Sequence, residues 1–260
     1  MPFVELIVPG LCVACSRIES RFEPPPLGAT TTAVFYARWV DWLGHFDPTV
    51  LQDGCRPALI EPRADIGYRG TAVLVHDITA CPQQYFELAD LLALRGYRVF
   101  LPLLPGHGLV QPGAGRVRGL PTMRNARRRY EAFADGINAI MAYAPGDRII
   151  GGNGAGAAVS LTINARAPDL YDRHIVWSPT FTTDEPSADA TRVCLQRRAR
   201  GRAGYCAIDT APVMTALGPR AAQLLRDGPG TARLQIVTTA PAGIEGVEGV
   251  DHAVACAYPD

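Results

Sequence analysis

The sequence predicts an α/β protein with a mostly parallel sheet, helices on both faces and an N-terminal extension. Three observations predict it. From Gly70 onward, short apolar runs alternate with segments of helical periodicity. One of these runs enters a glycine-rich turn, "RIIGGNGAGAAVS" from Arg148 to Ser160, and a helix of small residues leaves it. The chain has 260 residues, 48% hydrophobic and 19% charged, enough for one α/β domain with a sizeable core.

Residues 1–66 read as an arm and residues 67–260 as the main domain. In the arm, the Pro-rich "RFEPPPLGATTT" is a break, and "AVFYARWVDWLGHF" after it has the spacing of a short helix. Trp39 and Trp42 are candidate anchors for a partner chain, with packing on the chain's own domain as the plainer alternative.

In the main domain "TAVLVH" is a buried parallel strand. "CPQQYFELADLLALRGY" is a helix with Pro near its start and Gly96 as its stop, and it is expected to bury Tyr85, Leu88, Leu91 and Leu92. "RVFLPLL" is the next strand. The helix in "MRNARRRYEAFADGINAIMAYAPG" buries Tyr130, Phe133, Ile137, Ile140 and Met141. "DRIIGG" is a strand, "AGAAVSLTINARA" a helix, "RHIVWSP" and "ARLQIVTTA" two more strands, and "HAVACAY" the last.

Charge and cysteine content narrow the chemistry. The formal net charge is zero, so nothing global points to nucleic acid or an anionic membrane. "QRRARGR" reads as a solvated loop. All 25 basic residues are Arg, which removes lysine as a base or Schiff-base former. The seven cysteines are scattered, and the "CVAC" pair has no second pair to complete a zinc site. They read as buried, reduced thiols. No cofactor and no metal are expected. No stretch approaches the ~20 apolar residues that span a bilayer. The start, "MPFVELIVPGLCVAC", carries Glu5 and no basic residue, so no clear secretory signal is read and an intracellular or organellar setting is expected.

Several motifs come together in "LVHDITACPQQYFELADLLALRGYRVFLPLLPGHG": a His after the strand, a Cys-Pro helix start, the "RGYRV" return and the "PGHG" turn. With the glycine-rich turn that follows, this set resembles the opening core of α/β-hydrolases, particularly serine esterases, lipases and aminopeptidase-like enzymes. The resemblance is closest from Gly70 to Ser178. It implies a nucleophile elbow, Gly-x-Ser-x-Gly, whose Ser hydroxyl stands above the sheet while the next amide donates to the oxyanion. Here the turn reads Gly152-Asn153-Gly154-Ala155-Gly156. The framing glycines match, but Gly154 holds the nucleophile position and has nothing to attack with. Ser160 lies too far along the helix to replace it.

The resemblance also implies an Asp or Glu after a later strand and a His after the last one. The acid position falls at Pro241 and Ala242, with Glu245 and Asp184 as the nearest substitutes. Of the histidines, His45 lies in the arm, His76 and His107 belong to structural or oxyanion-loop motifs, and His174 precedes a strand. His252 begins the last strand instead of following it. Asp77 stands where the family commonly has Gly, and a carboxylate there would oppose an oxyanion. His76, Asp77, Ile78, Asn153 and Ala155 are read as the remains of a pocket and oxyanion region.

This reading predicts no catalytic residues and no turnover: a pseudoenzyme kept as a structural or accessory subunit of a larger protein assembly. Two alternatives stand beside it. One is a serine carboxyl-ester or peptide hydrolase with its nucleophile replaced and its C-terminus shortened. The other is a ligand-binding protein that reuses the hydrolase pocket.

Overall fold

The structure, a computed structural model, describes residues 31–44, 51, 55–78, 80–108, 125–181, 211–227 and 233–237. The described elements are α1 (Thr31–Leu43), β1 (Ala58–Ile60), β2 (Gly70–Val75), a 3-10 turn (Pro82–Tyr85), α2 (Phe86–Ala93), β3 (Tyr97–Leu101), α3 (Ala126–Met141), β4 (Asp147–Asn153), α4 (Ala155–Arg166), β5 (Arg173–Trp177), α5 (Ala211–Asp227) and β6 (Arg233–Val237). The "HAVACAY" segment lies outside the described residues.

The six strands form one sheet in the order β1-β3-β2-β4-β5-β6. β2 to β6 are parallel, and only β1, at the edge, pairs antiparallel, with β3. The alternation of strand and helix in the sequence gives this sheet because parallel neighbours need crossover helices. Both faces are covered. Val73, Val75, Phe100, Ile150 and Val176 pack under α1, α3, α4 and α5 in the main core. Leu74, Val99 and Leu101 pack under Tyr85 and Ala89 on the opposite face.

Two helices differ from the sequence expectation. In α2 the buried positions are Ala89 and Ala93, continuing from Tyr85 at spacing four. Leu88 and Leu92 flank them half-buried, while Leu91, six positions from Tyr85, is 60% exposed. The short 3-10 turn starts the helix at Phe86 and sets that phase. The other is α5, which the sequence pattern conceals because Gly218-Pro219 reads as a break. The helix runs through both. A Cβ at position 218 would collide with the Phe181 carbonyl, so glycine lets α5 close on the segment that follows β5.

The arm shares the core of the main domain. Phe35 and Trp39 are buried in it. Trp39 and Trp42 stack on each other and both pack edge-on against Phe100 of their own chain. Arg98 of β3 is buried beneath α1. Its guanidinium lies 4.8 Å from the centre of the Phe35 ring, 4.7 Å from that of Tyr36 and 5.2 Å from that of Tyr68, and its Nε donates to Glu61. Cation–π contact and the Tyr36 hydroxyl, which accepts from Arg98 and donates to Glu61, fix α1 to the sheet.

One expectation is overturned outright. Cys55 and Cys81 are not reduced thiols; they form a disulfide that is buried with Leu51 and Leu103. The two cysteines are 26 residues apart, one just before β1 and the other just before the 3-10 turn, and the fold brings them together.

Candidate functional site

The site lies at the C-terminal ends of β2, β4 and β5. β4 ends at Asn153, Gly154 turns the chain, and α4 begins at Ala155. Gly154 has φ +56° and ψ −126°, a conformation that residues with a side chain rarely adopt. The framing glycines serve close approach. A Cβ on Gly152 would strike the Gly156 carbonyl, and one on Gly156 would strike the carbonyls of His76 and Val75. Helix α4 is thereby held hard against β2 and β4.

Asp77 follows β2 and reaches across to this turn. Its Oδ1 accepts a hydrogen bond from the Ala155 amide at 3.1 Å. A Cβ placed on Gly154 would lie 2.9 Å from Asp77 Cγ, 3.0 Å from Oδ1 and 3.2 Å from Oδ2. The carboxylate therefore occupies the space that a side chain at position 154 would need. It also takes the first free amide of a twelve-residue helix, where the helix dipole favours an anion.

The turn that carries Asp77 is fixed from several sides. Its backbone N–H donates to Gln84 Oε1 at 3.0 Å, and its carbonyl accepts from the Ala80 amide at 2.9 Å. His76 Nε2 accepts from the Leu104 amide, so its Nδ1–H is the donor to the Asp77 carbonyl at 2.7 Å. His107 Nε2–H donates to the Ile78 carbonyl at 2.7 Å. Both imidazoles are buried and neutral in these roles. Burial, then the neighbouring His107, pushes His76 well below the usual histidine range, and burial pushes His107 down to about 4. Burial, followed by the Asp77 carboxylate, pushes the Tyr85 phenol up, and its hydroxyl donates to the Val75 carbonyl.

β5 completes the edge. The Gly154 amide donates to the Trp177 carbonyl, and the Thr180 amide donates to the Gly154 carbonyl. Between these two bonds Ser178 has φ +40° and is exposed.

The architecture has counterparts among solved structures. A soluble variant of a monoglyceride lipase from Saccharomyces cerevisiae, solved with a substrate analogue, superposes with a TM-score of 0.50 at 15% identity, covering 70% of this chain and 72% of that one. The chain has the α/β-hydrolase fold. A Paleococcus ferrophilus monoacylglycerol lipase matches at 0.47 and 18% identity (71% of this chain, 77% of that one), and a thioesterase domain from the curacin biosynthetic pathway matches at 0.47 and 16% identity (70% and 78%). No family model matches the sequence, and no curated protein does.

Within the α/β-hydrolase fold, the residues singled out from the sequence fall into three groups. Gly152, Asn153, Gly154, Ala155 and Gly156 form the strand-to-helix turn at the sheet edge, and His76, Asp77 and Ile78 form the loop beside it. His174 stands apart. It lies within β5, fully buried, where its Nε2–H donates to Ser160 Oγ and its Nδ1 faces Asn164; burial pushes it down to about 3. Ser160 in turn donates to the Ala157 carbonyl, so His174 and Ser160 belong to a buried polar cluster under α4. The third group, Asp184, Pro241, Ala242, Glu245, His252 and His45, lies outside the described residues. Among the described residues no three His, Cys, Asp or Glu are grouped to hold a metal, and no helix is long and apolar enough to cross a membrane.

Sequence reasoning missed the exposed, left-handed Ser178, for which "WSPT" offers only the Ser-Pro dipeptide as a signal. It also missed where the Asp77 carboxylate goes. The mismatch with the family glycine was visible, but not that the side chain would cap a helix 78 residues later.

Proposed function

We propose that this chain is a non-catalytic α/β-hydrolase-like protein, a pseudoenzyme acting as a structural or accessory subunit of a larger assembly. The observation that carries the reading is Asp77 in contact with the turn at Gly154. An acyl-transfer site needs a nucleophile at the turn and a free amide beside it for the oxyanion. Here glycine stands at the first and a carboxylate is bonded to the second. An oxyanion forming about 4 Å from that carboxylate would cost on the order of 4 kcal/mol at an effective dielectric near 20.

In this reading residues 1–66 are an extension to the domain of residues 67–260. Its described residues include α1 and the edge strand β1, and both pack on the chain's own sheet, which leaves partner contacts to other surfaces. The reading also takes a cellular compartment inside the cell or an organelle. The experiment is purification from the native source, which is expected to yield the chain in a stable complex far larger than 27.9 kDa. A monomer at native concentration would contradict it.

A second reading, a hydrolase, has one observation in its favour. Ser178 presents an exposed hydroxyl on a strained backbone beside Gly154. Covalent labelling by a fluorophosphonate that disappears in Ser178→Ala would favour it over the pseudoenzyme.

A further inference from the structure

We propose that the Cys55–Cys81 disulfide clamps the Asp77 turn over the Ala155 amide, so that the occupancy of this site depends on the redox state of the chain. The proposal rests on the occupied-site reading above, but its readout does not involve ester turnover, so the two can fail separately.

Three segments meet at the disulfide. Cys81 ends the turn that begins at Asp77, with the Asp77–Ala80 hydrogen bond inside it, and its carbonyl starts the 3-10 turn by accepting from the Gln84 amide. Gln84 then returns its side chain to the Asp77 amide. Cys55 precedes the edge strand β1. Gly108, at the end of the 104–108 turn, lies so close to Cys55 that a Cβ there would sit 2.8 Å from its carbonyl oxygen and 2.8 Å from its sulfur. The disulfide thus ties the far end of the Asp77 turn to β1 and to the segment that carries His107. The near end is tied through His76. With the bond cut, Ile78 stays packed in the main core, and the Asp77–Ala80 and His107–Ile78 hydrogen bonds that remain each contribute modestly.

The redox step balances as a two-electron exchange with a dithiol reductant. The S–S bond breaks, both cysteine sulfurs take up protons, and the dithiol closes to its own disulfide. Both cysteines are about 1% exposed, so the dithiol gains access only through local opening and either state persists. In the reduced state the first amide of α4 becomes free to solvent.

Amide exchange in the full chain, followed by NMR, tests this. Treatment with dithiothreitol is expected to speed exchange of the Ala155 amide by about tenfold or more, leaving Val73 and Ile150 in the central strands unchanged. With the disulfide intact, Asp77→Ala is expected to give the same acceleration at Ala155. Three results would each overturn the proposal: Ala155 indifferent to reduction, Val73 and Ile150 accelerated along with it, or both cysteines open to alkylation in the untreated native protein. An Ala155 amide indifferent to Asp77→Ala would overturn it without any reduction, even if the reduced chain failed to stay folded.

Discussion

The Asp77 carboxylate accepts the Ala155 amide at 3.1 Å and, in doing so, fills the space over Gly154. That amide, the first of α4, is capped by a side chain supplied from another loop. α4 has no side-chain cap of its own, so Asp77 provides the N-terminal acceptor that the helix otherwise lacks.

Removing that cap is expected to destabilise the protein. Asp77→Ala should cost about 1 kcal/mol, and up to about 2 kcal/mol given the charged acceptor. Urea unfolding followed by circular dichroism measures it. An unchanged midpoint would show that the bond contributes nothing.

Gly154→Ser is expected to cost about 1–3 kcal/mol, for two reasons. Its backbone is at positive φ, and its Cβ would press on Asp77. The second reason disappears when Asp77 is shortened. In a double-mutant cycle, Gly154→Ser should therefore cost less in an Asp77→Gly background than alone, by about 0.5 kcal/mol or more. Strict additivity would mean that the carboxylate does not occupy the serine's place.

The strands and the turn were legible in the sequence because their signals are local. "TAVLVH", "RVFLPLL" and "DRIIGG" are apolar runs without helical period, and Gly152 and Gly156 punctuate the turn. Features made by distant contacts were not legible. β1 has only Ala58, Leu59 and Ile60, too few to show a period, and its strand state comes from pairing with Val99, Phe100 and Leu101. α5 was hidden by a glycine that serves contact with Phe181. The Cys55–Cys81 pairing and the Asp77 cap join segments that only the fold makes neighbours.

Arg98 is expected to hold α1 in place. Arg98→Ala removes a buried cation from three aromatic rings and leaves Glu61 without its ion-pair partner, holding only the Tyr36 hydroxyl. Glu61 retains solvent access, so the loss should fall near 2 kcal/mol, below the 3–5 kcal/mol of a fully buried broken pair. Chemical unfolding measures the cost. Faster proteolysis within residues 31–44 would locate it at α1.

Acid should weaken the fold. His107 and His174 are neutral when folded, at about 4 and about 3, against about 6.5 when unfolded. The unfolded chain therefore binds more protons once pH drops below about 6.5. Stability falls as pH falls from there toward 4 and then 3, with His76 acting in the same direction. The combined loss is on the order of several kcal/mol. Thermal melts from pH 7.5 down to 4 should show a steady decrease in Tm. A flat profile across that range would mean that these imidazoles are not neutral and buried as placed.

The most direct test of the proposal that this site is non-catalytic is hydrolysis of p-nitrophenyl esters by three proteins: the native chain, Gly154→Ser, and Gly154→Ser combined with Asp77→Gly. A serine without a base and an orienting acid gains little, because the three act as one unit. The account predicts no turnover above background for any of the three. Turnover by the double variant at rates typical of enzymes, on the order of 1–1,000 per second, would mean that a working acid and base stand beside the turn, and would contradict it.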